Sequence, residues 1–116
     1  MSREQDLKKW SSYFKVLGNP VRFAIVLLLY GSEIIRGTRS LRFTEISNVL
    51  SIPTSSTSVL THYLNQLIKA GFVIKENGEK RNPLYHIGSD GKAFLEELGL
   101  TEILRTRIEK LLSKSP

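Results

Sequence analysis

The sequence predicts a single α+β domain that is mostly α-helical, and three observations lead to this fold class. Apolar residues recur at three- and four-residue intervals in several segments, which is the period of an amphipathic helix. Two short strand-like runs, 72–76 and 84–87, are separated by the turn dipeptide Asn77-Gly78. The length of 116 residues is that of one domain.

Spacing and a clear boundary predict the first two helices. The first helix ends at Gly18, and its apolar residues are Leu7, Trp10, Phe14 and Leu17. Asn19 and Pro20 then supply an N-cap and a first helical residue. The second helix, 21–30, is apolar on almost every side and ends at Gly31. We therefore expect it at the centre of the core.

A helix-turn-helix is predicted in the middle of the chain. Residues 32–41 are interpreted as an irregular insertion that leads into a short strand at 41–43. Thr44 caps a third helix over 45–50. A tight turn at Ser51-Ile52-Pro53 joins it to a fourth helix, so that residues 44–70 form two short helices in succession.

The fourth helix, 54–70, has one apolar and one polar face. The residues predicted to be buried are Val59, Leu60, Tyr63, Leu64, Leu67 and Ile68. The opposite face carries Ser55, Ser58, Thr61, His62, Asn65 and Lys69. Short hydroxyl and amide side chains with few charges are unusual on a helix that only meets solvent. They suit a helix that lies against base edges in a DNA major groove.

A hairpin and further helices complete the chain. Residues 72–88 form two strands and a turn after Gly71. Ser89 or Asp90 caps the next helix, and helical spacing resumes after Gly99 in the last part of the chain, 99–116. The order helix, helix, strand, helix, helix, strand, strand, helix is that of a winged helix-turn-helix.

Two segments carry a family resemblance that covers about residues 13–98. LGNPVRFAIVLLL (17–29) and SSTSVLTHYLNQLIKAGFV (55–73) resemble the ArsR-like group of winged-helix transcription regulators. YHIGSDGKAFLEEL (85–98) is similar to the end of MarR-like domains. The resemblance implies DNA binding, with base contacts from Thr57, Ser58, Thr61 and His62.

The charge distribution favours a polyanionic partner. The formal net charge is +6, from 17 basic and 11 acidic residues. Acidic and basic residues balance within 89–116, so the whole surplus lies in 1–88, which contains the fourth helix. A localised basic surplus is typical of nucleic-acid binding, although a basic but merely solvated surface would have the same charge.

Further residues are assigned to the predicted DNA interface. Ser55 and Ser56 would meet a phosphate at the helix start, unless residues 54–57 only cap the helix. Lys75, Lys80 and Arg81 would place cations on the hairpin, whose alternative interpretation is an ordinary solvated turn. Three arginines before the helix-turn-helix either extend this surface or lie on a loop: Arg36, Arg39 and Arg42.

The two ends of the chain, 1–18 and 99–116, predict a symmetric homodimer. They hold more apolar residues than a small winged domain needs, namely Leu7, Trp10, Phe14, Leu100, Ile103, Leu104, Ile108, Leu111 and Leu112. Left exposed, these residues would form a larger patch than a soluble monomer usually tolerates. The alternative is that both ends fold back onto their own domain.

Several classes of function are excluded. There is no cysteine, and His62 and His86 lack a partner at metal-ligand spacing, so we expect no metal and no cofactor. No catalytic constellation is recognisable, so we expect no enzyme. The polar N-terminus and short apolar runs predict a cytoplasmic protein without a membrane partner.

The sequence therefore predicts a sequence-specific, double-stranded-DNA-binding transcription regulator. We expect a homodimeric repressor, with 54–70 in the major groove and the hairpin residues 75–83 on the minor groove or backbone. The alternative is a winged-helix protein-interaction module within a transcription or chromatin complex. The sequence does not indicate a small-molecule effector.

Overall fold

The computed structural model describes residues 3–51, 57–76, 82–99, 107 and 109–113. Their helices and strands, in chain order, are α1 (Arg3–Leu17), α2 (Pro20–Arg36), β1 (Leu41–Arg42), α3 (Phe43–Val49), α4 (Thr57–Lys69), β2 (Val73–Glu76), β3 (Leu84–Ile87) and α5 (Ser89–Glu97). Residues 109–112 are helical as well.

The boundary between α1 and α2 lies where the sequence predicts it. Asn19 Oδ1 accepts hydrogen bonds from the backbone N–H groups of Val21 at 2.9 Å and of Arg22 at 3.0 Å. These donors have no partner inside the helix, so the amide side chain stabilises the first turn of α2. Pro20 occupies the first turn, where a missing N–H has no effect.

The end predicted for α2 at Gly31 is wrong, and so is the irregular insertion over 32–41. Gly31 is buried within the helix, which continues to Arg36. Gly37 ends it in the left-handed conformation, with φ 68°, and donates to Glu33 O at 3.1 Å. Residues 32–36 therefore extend α2 by more than one turn, and only residues 37–40 connect α2 to β1.

The start of α3 also differs from the prediction. The strand covers only Leu41–Arg42, and Phe43 is the first residue of the helix. Arg42, not Thr44, is the N-cap residue, with its backbone N–H donating to Glu45 Oε1 at 2.9 Å. The glutamate three residues after the cap thereby satisfies an N–H group that the helix leaves unpaired.

The three strands form one antiparallel sheet in the order β1-β3-β2. Leu41 lies opposite Tyr85, and Val73 lies opposite Ile87. These four side chains are buried on the face that meets the helices. The central strand β3 thus joins the segment that precedes the helix-turn-helix to the segment that follows it.

Leucines of α4 pack into the core as the helical spacing predicts. Leu60, Leu64 and Leu67 are completely buried, and Tyr63 is partly buried beside them. Val59 was also expected inside, but 47% of it is exposed. It lies at the edge of the apolar stripe, where spacing alone does not separate inward from outward positions.

Phe72 connects α4, the sheet and α5. Its ring is completely buried, with its centroid 4.7 Å from that of Tyr13 and 6.0 Å from that of Phe94. Gly88 N–H donates to Phe72 O at 2.7 Å, and Gly88, not Ser89 or Asp90, is the N-cap residue of α5. A Cβ atom at Gly91 would lie 2.6 Å from Phe72 Cδ1, so α5 approaches the core at a residue without a side chain.

The described part of the C-terminal segment packs against its own chain. Leu112 is 2% exposed and belongs to the core, and Arg36 Nη2 donates to Leu112 O at 2.8 Å. Leu112 is thus buried within its own chain, and a dimer contact at this residue stays a prediction. Among the described residues no single helix is long and apolar enough to cross a membrane.

Candidate nucleic-acid interface

The outward face of α4 carries the polar residues that the sequence predicts. Ser58, Thr61, His62 and Asn65 are exposed on the side opposite the buried leucines. Thr57 is the first described residue of the helix, whereas Ser55 and Ser56 lie outside the described residues. The helix therefore presents two hydroxyls, an imidazole and an amide to solvent, without a charged residue among them.

His62 and Tyr63 lie at the border between the polar and the apolar face. Their ring centroids are 6.0 Å apart with an angle of 51° between the ring planes. Tyr63 is partly buried, whereas His62 is exposed. The imidazole of His62 therefore contacts a partly buried ring and is itself exposed to solvent.

Two contacts attach the returning end of the hairpin to the start of α3. Phe43 N–H donates to Pro83 O at 3.0 Å, and Thr44 N–H donates to Asn82 Oδ1 at 3.3 Å. Neither Asn82 nor Pro83 is among the residues that the sequence predicts for the interface. Their role depends on strand register, which the residue pattern does not reveal.

The base of the hairpin holds a polar cluster around Glu76. Ser40 Oγ donates to Glu76 Oε1 at 3.0 Å, and Arg39 Nε lies 3.9 Å from the same oxygen. His86 Nδ1 lies 2.9 Å from this oxygen as well, but without the geometry of a hydrogen bond. The cluster ties the loop before β1 to β2 and β3.

The basic residues of the predicted interface have different surroundings. Lys75 on β2 is exposed, whereas Lys80 and Arg81 lie outside the described residues. Arg36 donates to the backbone of Leu112, so it has a structural partner within the chain. Arg39, in the loop before β1, and Arg42, the last residue of β1, are both exposed, and Arg39 lies 3.9 Å from the Glu76 carboxylate.

One apolar surface of α1 remains uncovered in the single chain. Leu7 is 66% exposed and Phe14 is 53% exposed, and Trp10 beside them is partly buried. The rings of Trp10 and Phe14 meet Phe94 edge to face, at centroid distances of 5.4 and 5.3 Å. We call Leu7, Trp10 and Phe14 the α1 apolar face.

Of the other residues expected at the dimer contact, only some are described by the structure. Leu111 is partly buried against the core. Leu100, Ile103, Leu104 and Ile108 lie outside the residues that the structure describes.

A polar contact borders the α1 apolar face. Lys9 Nζ lies 3.3 Å from Asp90 Oδ2 across the gap between α1 and α5. The hydrogen bond to the Asp90 carboxylate raises the pKa of Lys9, so the ammonium form is favoured. A charged pair therefore lies beside the exposed side chains of Leu7 and Phe14. Protein interfaces commonly have this arrangement of an apolar centre and a polar rim.

Within the described ranges, no group of three histidine, cysteine, aspartate or glutamate side chains is placed to hold a metal ion.

The element order, the three-stranded sheet and the position of α4 define a winged helix-turn-helix fold. Solved structures share it. HlyU from Vibrio cholerae, in its reduced form, has a TM-score of 0.66 and 22% identity, over 86% of this chain and 93% of that one. The transcriptional regulator HlyU from Vibrio vulnificus has a TM-score of 0.63 and 23% identity, over 83% and 90% of the two chains.

A third similar structure extends the likeness to a second group of proteins. A mutant of MarR from E. coli has a TM-score of 0.56 and 19% identity, over 96% of this chain and 79% of that chain. At these identities the likeness concerns the fold. No protein-family model matches the chain, and no curated protein matches it either.

Proposed function

We propose that the chain is a sequence-specific DNA-binding transcription regulator of the ArsR-like kind, with α4 as its recognition helix. The observation that carries this proposal is the exposed polar face of α4, formed by Ser58, Thr61, His62 and Asn65 over three buried leucines. Hydroxyls donate and accept, and an imidazole N–H donates to guanine N7 or O6. A helix of this kind fits the width of the major groove.

The hairpin contributes phosphate or minor-groove contacts. Lys75 is exposed on β2, and the sequence adds Lys80 and Arg81 between the two strands. The planar guanidinium of Arg81 suits a bidentate phosphate contact. The basic surplus within residues 1–88 supports the same partner, because phosphate neutralisation supplies most non-specific DNA affinity.

The regulator acts as a homodimer through the α1 apolar face together with residues of the C-terminal segment. Exposed Leu7 and Phe14 favour this arrangement, because burial of each such side chain stabilises by about 1.5–3 kcal/mol. A two-fold dimer presents two copies of α4, and their half-sites lie about 34 Å apart or at a multiple of that distance.

Repression is the regulatory mode that we propose. A dimer that covers a promoter excludes other proteins from the same DNA, and this requires no further surface. HlyU from Vibrio vulnificus, which has a similar fold, is a transcriptional regulator, and this supports a regulatory role.

Selection of bound duplexes from a random DNA library tests the proposal. We expect an enriched pseudo-palindrome, and footprinting should show protection of two major-groove segments on one side of the duplex. Affinity for the enriched duplex should then be measured over a range of salt concentrations. A dimer that neutralises about six phosphates gives a slope of log K against log salt near −5.

A flat salt response with no enriched sequence would contradict the proposal. It would favour the alternative, a protein-interaction module, in which the polar face of α4 contacts a protein partner.

A further inference from the structure

Arg22, near the start of α2, contacts both α1 and α4. Its Nε donates to Val16 O at 2.7 Å, and its Nη1 donates to Gln66 Oε1 at 2.7 Å. Its guanidinium carbon lies 5.9 Å from the centroid of the Tyr63 ring. A single side chain thus makes a hydrogen bond to α1, a hydrogen bond to α4 and a cation–π contact to α4.

We infer that Arg22 is a positioning residue that sets the orientation of α4 relative to α1. This inference rests on the proposed function, because it assigns Arg22 an effect on how α4 reads DNA. It also connects two surfaces of that proposal, the α1 apolar face and the polar face of α4.

The geometry at the α1 end favours a rigid connection. Val16 lies in the last turn of α1, where backbone carbonyls have no partner inside the helix. Arg22 satisfies one of these carbonyls through a charged donor, and charge-assisted hydrogen bonds are stronger than neutral ones. The backbone of Arg22 is itself held, because its N–H donates to Asn19 Oδ1 at 3.0 Å. The side chain of Arg22 therefore begins at a backbone position that is held by a hydrogen bond.

The geometry at the α4 end constrains rotation of the recognition helix about its own axis. Gln66 lies one turn after His62, about 6 Å along the helix. Tyr63 lies between them in sequence and takes the cation–π contact. A rotation of α4 that turned His62 and Asn65 toward or away from DNA would carry Gln66 away from Arg22. The two contacts thus favour one presentation of the polar face.

The α1 apolar face and Val16 belong to the same helix, α1. A partner subunit that packs on Leu7 and Phe14 would restrain α1, and through Val16 O it would restrain Arg22 and α4. Three consecutive contacts then link dimer formation to DNA binding. They are the contact of the partner subunit with α1, the hydrogen bond of Arg22 to Val16 and the hydrogen bond of Arg22 to Gln66.

The substitution Arg22→Met tests the inference, because it keeps an unbranched apolar stem and removes both hydrogen bonds. Gln66→Met is the second variant, since it removes the acceptor on α4 and leaves the contact with Val16 intact. Lys92→Met is the matched control. Lys92 Nζ also joins two helices through a charged donor, because it donates to Glu33 Oε1 at 3.5 Å, but this bond connects α5 to α2 and does not involve α4.

The measurement is the ratio of affinity for the duplex that wild type enriches from a random library to affinity for a shuffled duplex of equal length. This ratio should fall about tenfold in Arg22→Met and in Gln66→Met, on the order of one lost base contact. It should stay at the wild-type value in Lys92→Met. The double variant Arg22→Met with Gln66→Met should lose no more than Arg22→Met alone, because Arg22→Met already removes the hydrogen bond that Gln66→Met removes.

A second measurement is hydrogen exchange of the backbone amides of α4 in the DNA-free protein. Exchange over residues 57–69 should increase in Arg22→Met and in Gln66→Met but not in Lys92→Met.

An unchanged affinity ratio in Gln66→Met, or an equal fall in Lys92→Met, would overturn the inference while leaving the proposed function in place. If wild type enriches no duplex, the proposed function fails, and the positioning role fails with it.

Discussion

Replacement of Gly91 by alanine tests the close approach of α5 to the core. The new Cβ atom would lie 2.6 Å from Phe72 Cδ1 and 3.1 Å from Phe72 Cα, both inside ordinary contact distance. The Phe72 ring has little room to move, because it is completely buried between Tyr13 and Phe94. One neighbour is a backbone atom, so relief requires a displacement of α5 itself.

Two opposing terms set the magnitude of the effect. Overpacking of a filled core costs about 1–3 kcal/mol, and the backbone contact places this case near the upper limit. Alanine has a higher helix propensity than glycine, and this difference stabilises the folded state by about 1 kcal/mol. The expected net loss of unfolding free energy is therefore about 2 kcal/mol, which lowers the melting temperature on the order of 10 °C.

Urea and thermal unfolding followed by circular dichroism measure this loss, with two further variants. Ala93→Gly, at an exposed position of the same helix, measures the difference in helix propensity between alanine and glycine without the core contact. Gly91→Ala should cost less in a Phe72→Leu background, because the smaller side chain makes room for the methyl group. A melting temperature at or above wild type, or an equal loss in both backgrounds, would refute the reasoning.

Three other variants test the interface and the sheet. Thr61→Ala combined with His62→Ala should lower affinity for the selected duplex by about 1–3 kcal/mol per base pair read, with little change on shuffled DNA, as titration of both duplexes would show; equal losses on both would contradict base contact. Lys80→Ala combined with Arg81→Ala should weaken binding to every duplex and, if four phosphate contacts are lost per dimer, make the salt slope less steep by about 4. An unchanged slope would remove the hairpin from the interface. Burial raises the pKa of the Tyr85 hydroxyl, so the unfolded chain loses that proton first and stability falls as pH rises above about 10. Urea midpoints measured from about pH 9 to 11 should therefore fall less in Tyr85→Phe than in wild type, and parallel curves would argue against this assignment.

Local patterns predicted the elements that depend on neighbouring residues. The cap at Asn19, the leucines of α4 and the hairpin strands all follow from spacing within one segment, and the structure contains each of them. The end of α2 did not follow from such a pattern. Gly31 is buried in the helix interior, whereas Gly37 is the residue with positive φ that ends it. Both are glycines in the sequence, and only packing distinguishes them.

The parts of the candidate site that the sequence did not reveal depend on long-range contacts. Arg22 meets Gln66 across 44 residues of chain, and Ser40 meets Glu76 across 36. Neither pair has a periodic signature, because each contact requires the relative placement of two elements. Leu112 illustrates the same limit, since its burial against α2 and α3 follows from tertiary packing and not from helical spacing.

The pairing of β3 with both of its neighbours has a consequence for insertions. The chain leaves the sheet after Arg42, forms α3 and α4, and returns at Val73, so both ends of this excursion are hydrogen-bonded to one strand. Added residues inside the excursion must be accommodated by the two helices or their turn. Added residues between Glu76 and Asn82 only lengthen a hairpin outside it. A designer who wishes to add sequence to this domain should therefore insert it between β2 and β3, where it leaves the placement of α3 and α4 on the sheet unchanged.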